Sequence, residues 1–148
     1  MGVQQEVMNK MKEAMKSKDT VALTALRALK SAFMLANTEG GANVLSSEEE
    51  LKIIQKQVKQ RKDSAKVFSD QDRLDLAEPE LAEAKVLEQF LPEALSEDEI
   101  EKVVVATIEE VGAEGMKDMG KVMGIVSKKL AGQADGKIIS GIVKAKLS

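Results

Sequence analysis

The chain contains no cysteine, histidine, tryptophan or tyrosine, only three phenylalanines and only two prolines. Each absence removes a class of chemistry. Without cysteine no disulfide framework can form, and a reducing compartment, the cytoplasm, is the expected location. Without cysteine and histidine together there are no thiolate or imidazole metal ligands, no Cys-His or Ser-His nucleophile pair, and no histidine switch near neutral pH. Without tryptophan and tyrosine, stacking of bases on aromatic faces has almost no supply. No apolar run approaches the ~18 residues of a membrane-spanning helix. The start, MGVQQEVMNK, lacks the apolar stretch of a signal peptide, and Glu6 stands where an N-myristoylation motif needs Ser or Thr. A soluble, unprocessed protein with no membrane partner is expected.

What is present favours helix. At 148 residues the chain suits one domain or two small ones, and Ala, Leu, Glu and Lys, all good helix formers, recur throughout. An all-α fold follows. Val3, Val7, Met8, Met11 and Met15 stand at helical spacing and predict a helix over 3–17. Asp19 offers an N-cap for a second helix, 20–37, with Leu23, Leu26, Leu29 and Phe33 inward and Gly40 and Gly41 at its end. In SSEEELKIIQKQVKQRKDSAKVF, a serine cap and early acids suited to the helix dipole start a long third helix that keeps Leu51, Ile54, Val58 and Ala65 in register. A fourth, 74–90, carries Leu81, Ala84, Leu87 and Leu91 before Pro92 stops it. GGANVLS, 40–46, reads as a mobile connector.

The tract LPEALSEDEIEKVV marks the domain boundary, with a proline-terminated helix, a short connector, and Ser96 followed by Glu99 as a capping box. An N-terminal helical domain of about four helices, 1–92, precedes a small C-terminal domain, 96–148, of three helices at 97–111, 118–131 and 136–147. There is no internal repeat of fixed period and no low-complexity segment.

Charge is segregated. The net charge is −3, yet 52–66 contains six basic residues and one acid, and 117–148 contains seven lysines and two acids, so each segment carries +5. Lys52, Lys59 and Lys66 recur every seven residues as one stripe with Lys56 beside it, and Asp63 is placed for an i,i+4 pair with Lys59. Further on, Lys117, Lys121 and Lys128 share a face, Val122, Met123, Val126 and Leu130 share another, and Gly120 and Gly124 fall on the shoulder between. Each helical glycine costs about 1 kcal/mol relative to alanine. Bare backbone permits either tight packing of a neighbouring helix, the commoner use, or close approach of a phosphate-bearing chain. Gly132 sits where a helix C-cap belongs, and Asp135 can cap the last helix ahead of Gly136.

No catalytic constellation emerges. The carboxylates lie at densities usual for solvated helix faces, there is no nucleophile elbow or Ser-Lys motif, and no phosphate loop, dinucleotide fingerprint or calcium loop appears. No metal and no cofactor is called for. Binding is the indicated class of function.

The segments KQRKDSAKVF, RLDLAEPELAEAKVLEQFLPEALSEDEI and DMGKVMGIVSKKLAGQADGKIISGIVKAKL together resemble the YqeY family over essentially the whole chain. The last part is also similar to the tail domain of the GatB subunit of glutamine-dependent tRNA amidotransferase. The matching positions include Gly120, Lys121, Gly124, Lys128, Gly132, Ala134, Asp135 and Leu147; Gln133 departs from an expected basic residue and Gly136 from a frequent proline. The resemblance implies an all-helical protein whose tail contacts tRNA, and it brings amidotransferase subunits into view as partners. The family's label, carbon-nitrogen ligase activity with glutamine as amido donor, belongs to catalytic domains that nothing here resembles.

Two readings of function stand. In the first, a tRNA-associated module contacts phosphates through Lys59, Arg61, Lys62, Lys121, Lys128, Lys129 and Lys137, with Gly120, Gly124 and Gly132 allowing close approach. In the second, a helical interaction protein uses Met8, Met11, Met15 and Met123 as an adaptable protein interface without nucleic acid.

Overall fold

The computed structural model describes residues 2–39 and 45–148, and among them it is all-α, with seven α-helices, one short 3-10 turn and no strand. None of these helices is long and apolar enough to cross a membrane. The chain divides into two compact units, Met1–Leu91 and Pro92–Ser148.

The first unit opens with α1 (Val3–Ser17) and α2 (Thr20–Glu39), joined by two residues. Lys18 adopts the left-handed conformation at φ 59° and reverses the chain, and Asp19 Oδ1 then accepts the Ala22 N–H at 3.1 Å, the expected N-cap. The expected stop at Gly40 and Gly41, and 40–44 of the connector, lie outside the described residues. On α1 the buried side chains are Val7 and Ala14, with Val3 and Met11 partly buried beside them, whereas Met8 and Met15 remain 41% and 52% exposed. Those two methionines, part of the expected helical pattern, stand on the flank because Val7 and Ala14, with Val3 and Met11 beside them, are the side chains that enter the core.

The long helix α3 (Ser47–Asp70) begins with a full capping box. The Glu49 N–H donates to Ser46 Oγ at 3.1 Å and the Ser46 N–H to Glu49 Oε1 at 3.2 Å, while Glu48, Glu49 and Glu50 complement the dipole of the first turn. A tight turn with Asp72 at φ 58° leads into α4 (Leu74–Glu88). This helix ends short of the expected residue 90, and the Phe90 and Leu91 N–H groups close turns on the Leu87 and Glu88 carbonyls. Leu81, expected inward, is 48% exposed, and Ala77 takes the buried position one turn earlier. The small side chains Ala65 and Ala77 are both buried on these two helices, which pack as a close pair. Leu26, Leu29, Phe33, Ile54, Val58 and Leu87 make the core of the unit.

In the second unit, α5 (Glu97–Val111) starts with the Ser96–Glu99 capping box and ends at Gly112, whose φ of 64° suits glycine at that position. The 3-10 turn Met116–Asp118 feeds α6 (Met119–Lys129), which is shorter at both ends than expected; at its start the side chain of Asp118 turns back to accept the Glu114 N–H at 3.0 Å. Gly132 at φ 78° makes the following turn, and Asp135 caps α7 (Gly136–Leu147) through the Lys137 N–H at 2.9 Å. Ile100, Val104, Val122, Val126, Ile139 and Val143 fill the core.

Denaturant unfolding checks this division between core and flank. Leu87→Ala is expected to cost about 2–5 kcal/mol, Ser96→Ala about 1 kcal/mol through the lost cap, and Met15→Ala less than about 0.5 kcal/mol as a surface change.

Candidate nucleic-acid interface

On α6 the alternation of burial defines two faces. Val122, Val126 and Leu130 are buried, and the opposite face presents Gly120, Lys121, Gly124 and Lys128 to solvent. A Cβ added at Gly120 or Gly124 would meet nothing within 4 Å, and the same holds at Gly141 in α7. The expected tight packing against these glycines is therefore not made among the described residues, and they stand on the outer face of α6 rather than its shoulder. The reason is geometric, since α6 meets α5 and α7 along the Val122–Val126 line, well round the helix from Gly124. Gly132 differs from both. It is buried at positive φ, and the turn between α6 and α7 explains it.

The lysines of this unit are not equivalent. Lys121, Lys128 and Lys137 are exposed, and none of their side chains makes an ion pair or hydrogen bond among the described residues. Lys121 lies in the first turn of α6 and Lys137 in the first turn of α7, where the helix dipole disfavours a cation and the acids, Asp118 and Asp135, stand at the N-cap positions. Lys129 is engaged, with its Nζ 3.0 Å from Glu110 Oε2 and 3.3 Å from the Oγ1 of buried Thr107, so it ties α6 to α5. Lys117 lies in the 3-10 turn, 4.0 Å from Glu114. Lys144 is a further exposed and unpaired lysine on α7 that sequence reasoning did not single out, though its spacing of seven from Lys137 was the available signal.

On α3 the three expected contacts separate. Lys59 is exposed and makes no ion pair among the described residues; the expected pair with Asp63 is not formed, and it is Lys52 that reaches back to Glu48, at 3.6 Å. Lys62 bonds Glu88 of α4 at 2.7 Å. Arg61 turns inward, its Nη1 donating to the Gln57 carbonyl at 3.2 Å and to Gln57 Oε1 at 2.8 Å, while its Nε is buried without an acceptor. Beside it, burial pushes the Glu83 carboxyl above the usual carboxylate range, with Arg61 pulling it down and Glu80 pushing it further up. Lys59 and Lys62 thus share an outer face that Arg61 does not join. Among the described residues no group of three or more acids is placed to hold a metal ion.

Two outcomes follow for stability. Gly124→Ala, in the interior of α6 with open space around it, is expected to raise stability by about 0.5–1 kcal/mol, and Gly120→Ala, at the helix start, by less. Because folding raises the pKa of Glu83, the folded state favours its protonated form. The stability this gives is complete below the unfolded value of about 4.3 and is lost as pH rises through the folded pKa. Glu83→Gln should therefore melt above wild type at neutral pH, and thermal scans should show that advantage disappearing below about pH 4.

Comparison with known proteins adds a family. A model described as "Yqey-like protein" matches residues 4–147. The protein "Altered inheritance of mitochondria protein 41, mitochondrial" of Pyrenophora tritici-repentis is 33% identical over 127 residues, covering 84% of this chain and 68% of that one. A protein of the same name from Clavispora lusitaniae is 34% identical over 124 residues, covering 81% and 69%. A glutamyl-tRNA(Gln) amidotransferase subunit of Thermococcus gammatolerans is 42% identical over 73 residues, which is 47% of this chain and 12% of that protein. With the match running from the first turn of α1 to the end of α7, the chain belongs to the YqeY-like protein family.

Proposed function

We propose that this protein is a tRNA-associated accessory module of the GatB/YqeY type that holds phosphate backbone on the outer face of α6 and the start of α7. The observation that carries the reading is the exposure of Lys121, Lys128 and Lys137 without carboxylate partners, beside glycines whose missing side chains serve no packing within the chain. A bare helix face admits a sugar-phosphate chain closer than any other residue type would. The partial likeness to a protein named for glutamyl-tRNA(Gln) amidotransferase supports tRNA as the nucleic acid and amidotransferase subunits as protein partners. The chain is similar to only 12% of that relative, and no catalytic step is assigned to it.

Phe33 is buried and Phe68 and Phe90 are partly buried, so recognition rests on phosphates and shape rather than on stacked bases. The cytoplasm is the compartment expected from the composition. The names of two relatives place those proteins in mitochondria, and fractionation of the native protein decides between the two for this chain.

Titration of tRNA over a salt series tests the reading. Wild type should bind with an affinity that falls steeply with salt, and a Lys121→Glu/Lys128→Glu/Lys137→Glu variant should bind more weakly, each lost contact flattening the log–log slope by about 0.7–0.9. Gly124→Ala should bind more weakly while melting higher. Equal affinity of wild type and the lysine variant overturns the proposal. Lys129 is left intact because its bonds to Glu110 and Thr107 would confound folding with binding.

A further inference from the structure

The hairpin of α1 and α2 carries a surface that the core does not explain. Along α1, Gln4, Met8, Met11 and Met15 recur at spacings of four, three and four, which sets them on one ridge. Along α2, Leu23, Arg27, Lys30, Met34 and Asn37 recur at four, three, four and three, which makes a second. The Asn37 amide reaches Gln4 Oε1 at 3.5 Å, so the two ridges run antiparallel, side by side, with a shallow groove along them. Met11 and Leu23, partly buried against the core, form the floor. Met8, Met15 and Met34 stand 41%, 52% and 59% exposed along its length.

The charge along the two ridges is of one sign, and the carboxylates stand at the ends, Asp19 one turn before Leu23 and Glu50 beside Gln4. Lys12 and Lys16, on the next ridge of α1, and Arg27 and Lys30 on α2 make no ion pair or side-chain hydrogen bond among the described residues. Neither ridge contains a carboxylate. Glu13 is turned to Lys10, 3.3 Å away, and Glu50, at the end of the groove, accepts the Gln4 amide at 2.8 Å.

We propose that this groove docks an amphipathic helix of a partner protein that carries acidic residues along its flanks. Unbranched, polarizable methionines adapt to an apolar helix face, and the unpaired cations on both sides select acids beside it. The ridge from Gln4 to Met15 is about 16 Å long, the rise of three helical turns. A second copy docking by this same surface would bring four cations against four. A nucleic acid would leave the methionines without an apolar partner. The site lies in the first compact unit and does not depend on the lysine face of α6.

The test uses the whole protein with methyl-labelled methionines and two synthetic peptides of about 18 residues, both with leucines at i, i+3, i+4 and i+7, one filled with glutamates and the other with lysines. The glutamate peptide should shift the NMR signals of Met8, Met15 and Met34 and leave Met116 and Met123 unmoved. An Arg27→Glu/Lys30→Glu variant, on exposed and partly exposed positions and checked for retained helicity, should bind it at least about tenfold more weakly and should gain affinity for the lysine peptide. Failure of the glutamate peptide to bind, equal binding of both peptides, or unchanged binding by the variant overturns the proposal. So does movement of the same three signals on raising the protein concentration alone or on adding tRNA.

Discussion

Aliphatic packing between helices is the interaction on which everything else in this protein depends. Only one aromatic side chain, Phe33, is fully buried, and the two cores are otherwise built from Leu, Ile, Val and Ala. A helix buries such residues along a single stripe, so each unit closes around a small cluster and leaves helix faces exposed. Those leftover faces, the outer side of α6 and the flank of the α1–α2 hairpin, are the surfaces proposed for binding. The residues that hold the fold and the residues offered to a ligand are thus different sets on the same helices.

Electrostatics follows the same division. The chain is acidic overall, but many of its carboxylates serve helix ends and lateral pairs. Three acids occupy the first turn of α3 and three that of α5, and Glu88, Glu101 and Glu110 each take a lysine. Such exposed pairs contribute little stability one by one, yet they decide which cations remain available. Lys62 and Lys129 are engaged, while Lys59, Lys121, Lys128 and Lys137 find no ion pair among the described residues. A net charge of −3 therefore conceals local fields of either sign, which is the form in which charge guides a partner.

The capping residues were legible in advance because capping is local. Ser96 with Glu99, Asp19 and Asp135 act within three or so residues of themselves, and the structure shows each doing so. Helix interiors were legible too, wherever a strong apolar stripe ran through them, as at Leu26, Leu29 and Phe33. Stripe edges were not legible in this way. Met8, Met15 and Leu81 satisfy helical spacing as well as their buried neighbours do, and only the direction from which another helix arrives separates the two. Gly120 and Gly124 show the same limit: their spacing suits helix packing, but no helix comes to that side of α6.

Sequence by itself determined the all-helical class, the capped starts of α2, α3, α5 and α7, the segregation of charge and the exclusion of thiol and imidazole chemistry, because composition, periodicity and capping act over one or two turns. Tertiary structure alone decided which glycines stay bare, which lysines are taken up by a carboxylate, and which methionines face solvent. Those outcomes depend on where a neighbouring helix lies, and residues far apart in the chain, such as Lys129 with Glu110 or Asn37 with Gln4, meet only once the helices have packed.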